Sequence, residues 1–182
     1  MRCPWGAGTS TSHVDYVDYH DTEWGRPVHG EAALFERISL EAFQSGLSWL
    51  TILRKRPAFR AAFADFDPQL VARYTDADVE RLMTDAGIVR NRAKILATIA
   101  NAQATVDLEG GLDDLLWSFA PPAKRKAPRT IADVPAVTPE STAMARALRS
   151  RDFRFVGPTT AYALMQATGM VNDHLADCIS RS

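Results

Sequence analysis

The chain carries two cysteines, Cys3 and Cys178, and each lies in sequence near a histidine, His20 after the first and His174 four positions before the second. A His and a Cys at i,i+4 on a helix present both ligand atoms on one face, where they can share a metal ion. Two thiolates and two imidazoles make a closed tetrahedral shell of the kind that structural zinc occupies. Two thiols are too few for a zinc ribbon, and a disulfide is not expected in a reducing compartment. From composition alone, the commoner outcome is a buried free thiol and two surface histidines. His13 and His29 have no comparable context.

A second grouping is the stretch 153–174, FRFVGPTTAYALMQATGMVNDH. A Gly-Pro pair opens an apolar run at helical spacing, and an Asn-Asp-His trio follows it. A glycine turn between two helices exposes successive backbone N–H groups, and the second helix adds its own N-terminal donors. Such a turn can hold a phosphate without a cation, although most helix–Gly–helix turns are plain corners.

The elements that must position these groups read as helices nearly throughout. In EAALFERISLEAFQSG, Leu34, Phe35, Ile38 and Ala42 recur at helical spacing before Gly46. SWLTILRKR reads as a helix ending before Pro57, and Phe59, Phe63 and Phe66 mark a third apolar stripe. Thr75 with Asp78 and Glu80 resembles a helix start. Ile95, Ile99, Ala102 and Val106 share a face that ends at Gly110-Gly111, and LDDLLWSF reads as a short helix. Residues 120–138 form the one long loop. Thr138-Pro139-Glu140 then reads as an N-cap, a first-turn proline and a favourably placed acid. No hairpin turn or alternating strand stands out, so the fold class is all-α.

Apolar residues at 46% and charged ones at 24% describe an ordinary globular chain with enough length to bury a core. No run approaches membrane-spanning length, and the start MRCPWGAGTS lacks the apolar core of a signal peptide, which predicts a cytoplasmic protein with no membrane partner. A net charge of −1 argues against nucleic-acid binding driven by bulk charge. Local basic patches remain: RNRAK at 90–94, KRK at 124–126, and Arg146, Arg149, Arg151 and Arg154.

Val156, Gly157, Thr160 and Ala161, followed by Val171 and His174, resemble the hairpin and Val-Asp-x-His pattern of the helix-hairpin-helix DNA glycosylase superfamily. GIVRNRAK at 87–94 resembles the element that opens the preceding helix in those enzymes. YHDTEWGRP at 19–27, LEAFQSGLSW at 40–49, DAGIVRNRAKI at 85–95 and GMVNDH at 169–174 closely resemble the DNA-3-methyladenine glycosylase I family, in order along the whole chain.

The resemblance implies a helix-hairpin-helix glycosylase fold of two helical lobes within one unit, 1–182. Residues 1–30 with about 110–182 form a terminal lobe and about 31–109 a central one. One structural zinc ion, on Cys3, His20, His174 and Cys178, joins the terminal segments. The implied activity is hydrolysis of the N-glycosidic bond of 3-methyladenine in double-stranded alkylated DNA, by a monomer that flips the base from the helix.

Glu41 is the implied catalytic and base-recognising acid, Tyr19 and Trp49 stack on the base, and Trp5 adds a wall. Without the resemblance, a lone Glu on an amphipathic helix reads as solvated and a Trp after Leu-Ser as core. Phe155, Val156, Gly157, Thr159 and Thr160 form the phosphate grip, and Gln44 or Leu47 is the wedge, with Phe43 bulky where the family commonly has a polar residue. Thr159 stands where bifunctional members keep a lysine nucleophile, so strand cleavage through an imine is not expected. Asn172 stands where most superfamily members keep a catalytic aspartate, and Asp173, one residue away, is expected to point elsewhere. A methylated cationic purine leaves as a neutral molecule and tolerates that loss. The contrasting reading is a zinc-stapled helical DNA-binding module without turnover.

Overall fold

The computed structural model describes residues 1–7, 14–122 and 125–181; His13 and Lys124 of the basic run lie outside them. Among the described residues every regular element is helical. After a 3₁₀ turn at Pro4–Gly6 come α1 (Val14–Thr22), α2 (Glu31–Gln44), α3 (Trp49–Ala62), α4 (Pro68–Val71) and α5 (Asp76–Thr84). The order continues with α6 (Arg92–Val106), α7 (Gly111–Trp117), α8 (Pro139–Arg149) and α9 (Pro158–Ala167).

Helix α2 is the axis of the molecule. It packs against α3, α4, α6, α7 and α9, and every residue from Leu34 to Phe43 is buried. A helix surrounded in this way has no polar face left, so its charged residues must find partners inside. Glu36 accepts two hydrogen bonds from Arg60, at 3.0 and 2.8 Å. Arg37 donates to Glu23 at 2.7 Å.

Local signals set several boundaries as expected. Thr75 and Asp78 form a capping box at α5, and Thr138 caps α8 by accepting from the Ser141 N–H, with Pro139 in the first turn. Packing overrides local preference elsewhere. Helix α3 does not stop at Pro57 but runs through it, because Phe59 and Ala62 beyond the proline are buried. The Phe43–Phe59 ring centroids lie 4.7 Å apart, an aromatic contact that offsets the lost backbone bond. The Gly110-Gly111 pair does not end α6, which stops at Val106; it opens α7, with Gly110 in the left-handed region as N-cap.

The segment after α9 departs furthest from expectation. Residues 171–181 form turns rather than a helix, because their backbone groups bond across the molecule. The Ala176 N–H donates to Pro128 O and that of Ile179 to Met1 O, both at 2.8 Å. His174 and Cys178 therefore meet through a turn, and helical spacing is not the reason.

Gly169 makes this turn possible. Its φ is +72°, and a Cβ there would lie 2.3 Å from the Arg26 carbonyl carbon. The close approach lets Gly25 donate to Gln166 O at 3.0 Å and Val28 to Thr168 O at 3.1 Å. Gly169→Ala is expected to destabilise the fold by at least about 2 kcal/mol, from left-handed strain and the backbone clash together. A denaturant midpoint unchanged from the parent protein would contradict that close approach.

Candidate functional site

One cavity of about 310 Å³ gathers the residues with the most pronounced chemistry. Helix α1 contributes Tyr16 and Tyr19, α2 contributes Glu41 and Gln44, and α3 contributes Trp49 at its first position. Trp5, Trp24, Ala163, Gln166 and Asp173 complete much of the wall. Tyr19, Glu41, Trp49 and Trp5, expected to share a base pocket, are thus brought together, and Gln44, expected as a wedge, lines the same cavity.

Glu41 is 6% exposed, and no described residue donates a hydrogen bond to it. Burial pushes its carboxyl up to about 8, against the opposing pull of the Arg37 charge one turn earlier. The Trp49 indole N–H is also buried and has no partner. Tyr19 is 3% exposed and lies 5.3 Å from the Trp49 ring, centroid to centroid. Burial, then the neighbouring Glu41, raises its phenol far above the ordinary value. An acceptor and a donor left open beside two rings in one cavity form a slot for a flat polar ring, although Arg37 Nη1 and Ser39 Oγ on α2 are also buried without a partner among the described residues.

The charge beneath this slot is neutralised elsewhere. Burial alone would raise Glu23, but hydrogen bonds from Arg56 and Arg37 outweigh it and bring the carboxyl to about 2. Arg56 reaches both Glu23 oxygens at 2.6 Å. Arg37 is committed to Glu23, and its guanidinium carbon sits 5.9 Å from the centroid of the Tyr19 ring. Glu41 is left without an ion pair.

Asp173 corrects the sequence reading. It lines the cavity, while Asn172 turns back to accept the His174 N–H at 3.2 Å. Asp173 Oδ2 accepts from the Tyr162 hydroxyl at 2.5 Å and from Gln166 at 3.0 Å. These bonds hold it on the cavity despite the one-residue offset. Tyr16, Trp24 and Gln166 are further lining residues that the sequence reading does not single out. Tyr16 sits one helical turn before Tyr19, and Trp24 lies inside the YHDTEWGRP stretch, so both carry a signal.

Cys3, His20, His174 and Cys178 are all buried, and their ligand atoms lie within 4.8 Å of one another. Sγ of Cys178 is 3.5 Å from both His20 Nε2 and His174 Nδ1, and Sγ of Cys3 is 3.7 Å from His174 Nδ1. A tetrahedral ion with ordinary zinc–sulfur and zinc–nitrogen bonds separates such atoms by about 3.6 Å. The outer nitrogens are also assigned: His20 Nδ1 pairs with Asp21 at 2.8 Å and His174 Nε2 with Trp24 O at 2.9 Å. Those bonds orient the inner nitrogens as lone-pair donors, as metal-binding imidazoles require. The four residues fit a metal ion.

This cluster also braces the cavity. The Trp5 ring packs 4.9 Å from both His20 and Trp24, and Trp24 packs 4.7 Å from His174. His29 is separate: it stacks on Trp117 and pairs with Asp113.

The 153–160 turn joins α8 to α9, which pack closely together. Gly157 is the N-cap of α9, and no atom lies within 4 Å of where its Cβ would be. Phe155 is 44% exposed and holds a left-handed φ of +56°. Val156 is buried. Thr159 is exposed. Phe155, Val156, Gly157 and Thr160 line a groove with Ser45 and Arg149. Leu47, 41% exposed, sits beyond the cavity in the turn after α2. Lys94 is not part of a basic surface patch. It is buried, and its ammonium donates to the carbonyls of Phe43 at 2.8 Å and Ser45 at 2.5 Å. No lysine lines the cavity among the described residues.

The family described as methyladenine glycosylase matches residues 9–181. The chain is 45% identical over 182 residues to the DNA-3-methyladenine glycosylase 1 of Escherichia coli (strain K12), covering 97% of this chain and 95% of that protein. A crystal structure of 3-methyladenine DNA glycosylase I aligns with a TM-score of 0.93 at 42% identity, covering 100% of both chains. The Staphylococcus aureus 3-methyladenine DNA glycosylase I, solved to show its recognition of 3-methyladenine, aligns with a TM-score of 0.90 at 36% identity over 98% of this chain and 95% of that one.

In the free protein Glu41 holds its proton until about pH 8, whereas in the unfolded chain it ionises near its ordinary value of 4.5. Within that window the unfolded state has lost a proton that the folded state keeps, so stability falls as pH rises. Glu41→Gln removes this dependence. The variant should match the parent near pH 4 and exceed it by a few kcal/mol near pH 8, in urea melts run across pH. A stability gap that does not widen with pH would count against a buried, unpaired acid.

Proposed function

Because the chain belongs to the methyladenine glycosylase family, we propose that it releases 3-methyladenine from double-stranded alkylated DNA by hydrolysing the bond between the base and C1′ of the deoxyribose. The observation that carries this reading is Glu41, buried without a hydrogen-bond partner among the described residues in the cavity that Tyr19 and Trp49 also line. A solvated helix face or a purely structural core would leave neither the acid nor the indole N–H unpaired.

The chemistry follows from charge. Methylation makes the purine cationic, so cleavage sends the bonding electrons into the ring and a neutral base departs. An entering cation lowers the Glu41 carboxyl pKa and draws it into its carboxylate form, with the proton passing to solvent. Neutral adenine supplies no such charge and leaves the acid protonated. Cation–π attraction to Tyr19 and Trp49 adds roughly 1–2 kcal/mol for a charged ring out of water. The sugar cation left behind takes up water at C1′, and the proton of that water goes to solvent.

The 155–160 turn is suited to gripping a backbone phosphate through Thr159, Thr160 and neighbouring main-chain N–H groups in the manner of a helix-hairpin-helix. Leu47, with Gln44 beside it on the cavity, is placed to fill the gap left by the flipped nucleotide. Lys94 is committed to the end of α2, and Thr159 has no amine, which supports a monofunctional enzyme that does not cut the strand. We read the chain as one monomeric cytoplasmic unit, its terminal lobe (1–30 with about 110–182) clasping the central one. Zinc is the ion best suited to two thiolates and two imidazoles, and there it would supply cross-linking alone, with no open position for substrate.

Incubation with methylated duplex DNA should release free 3-methyladenine, and Glu41→Gln should slow release at least about 100-fold. DNA binding without any release would instead give the non-catalytic module. Borohydride should trap no protein–DNA adduct, and a trapped adduct would refute the monofunctional assignment. Cys178→Ser should lose bound zinc and more than about 2 kcal/mol of stability while its folded fraction keeps excision activity. A zinc-free variant as stable as the parent would exclude a structural ion.

A further inference from the structure

A second cleft, of about 320 Å³, opens beside the Glu41 cavity and is lined by Arg125, Lys126, Pro128, Arg129, Asp133 and Asp173 among others. Asp173 is the residue common to the two linings. The two spaces differ sharply in chemistry. The first presents rings, an acid and an indole N–H, whereas the second presents three cationic side chains within five consecutive residues. The Lys126 and Arg129 side chains are exposed and make no hydrogen bond or ion pair with a described residue. The cleft's other acid is already occupied: Asp133 Oδ2 accepts the N–H groups of Arg129 at 2.9 Å and Thr130 at 2.8 Å. The backbone beneath is anchored, because Pro128 O accepts from Ala176 at 2.8 Å.

A nucleotide has the same division, with a flat base at one end, a phosphate at the other and the sugar between them. We propose that the Arg125–Lys126–Arg129 cleft seats the backbone phosphate of the extruded nucleotide, so that Asp173, where cleft and base cavity meet, faces its sugar. This rests on the glycosylase reading and deepens it. Asp173 is held for such a task. The Tyr162 hydroxyl and the Gln166 amide fix one carboxylate oxygen, and Arg125 lies 3.7 Å from the other. Three donors and no acceptor face it, which suits a carboxylate placed to stabilise positive charge developing at C1′ as the base leaves. No proton transfer through Asp173 is required.

The test uses the full chain and separates the two spaces. Probes are free 3-methyladenine for the base cavity and a duplex carrying a tetrahydrofuran abasic analogue for the backbone. Lys126→Ala with Arg129→Ala should weaken duplex binding about tenfold near 100 mM salt and lower the salt slope by about 1, because the one phosphate that loses its cationic side chains keeps its condensed counterion. Affinity for the free base should stay within about twofold, which also reports that the variant is folded. Asp173→Asn should release the base from methylated DNA at least about tenfold more slowly in single turnover, a loss larger than any change in its affinity for the free base. Parental duplex affinity and salt slope in the double variant would overturn the phosphate seat. An unchanged release rate in Asp173→Asn would overturn the sugar placement. Absence of release by the parent protein itself would instead sink the glycosylase reading, and the two failures are therefore distinguishable.

Discussion

The costliest feature of this structure is a carboxyl group placed inside an apolar shell with nothing to bond to. Glu41 can be there only because α2 is enclosed on all sides and its two other buried charges are paired, Glu36 with Arg60 and Arg37 with Glu23. Arg37 is decisive. Standing one turn from Glu41, it would form an ordinary i,i+4 ion pair if it were free, and the acid would sit near its usual pKa. Glu23, held also by Arg56, draws that guanidinium away. The result is an acid whose missing partner must come from outside, and a cation is the partner that restores most.

The metal-fitting cluster serves the same end from the opposite wall. His20 follows Tyr19 directly in sequence, so the helix that sends Tyr19 into the cavity sends its neighbour into the cluster. Trp5 and Trp24 lie between the two sites, edge-on to His20 and His174. Fixing the imidazoles therefore fixes the aromatic wall, although neither ring of the cluster lines the cavity.

Much of this is legible in the chain. The caps at Thr75 and Thr138 are short-range devices, and their helices begin where those residues predict. The four Cys and His residues and the Tyr19–Glu41–Trp49 trio follow from the family resemblance, and the structure brings each set together. What escapes a reading of the chain depends on distant packing. Pro57 breaks a helix in isolation but not when Phe59 beyond it is buried. Lys94 looks like part of a basic surface until the last carbonyls of α2 claim it. Asp173 reads as pointing elsewhere, whether on a helix or in a tight turn, until the distant Tyr162 and Gln166 side chains are seen to hold it at the cavity.

Those cross-chain bonds set an order of events during synthesis. Cys3 and His174 are 171 positions apart, so the first wall of the base cavity leaves the ribosome long before the segment that steadies it. Until residues 174–179 emerge, Trp24 has no imidazole of His174 to lean on, and Met1 has no stretch of backbone to bind. The α2–α3, α4–α6 and α5–α6 pairings can form before α9 exists, while the wall beside Trp24 is completed last.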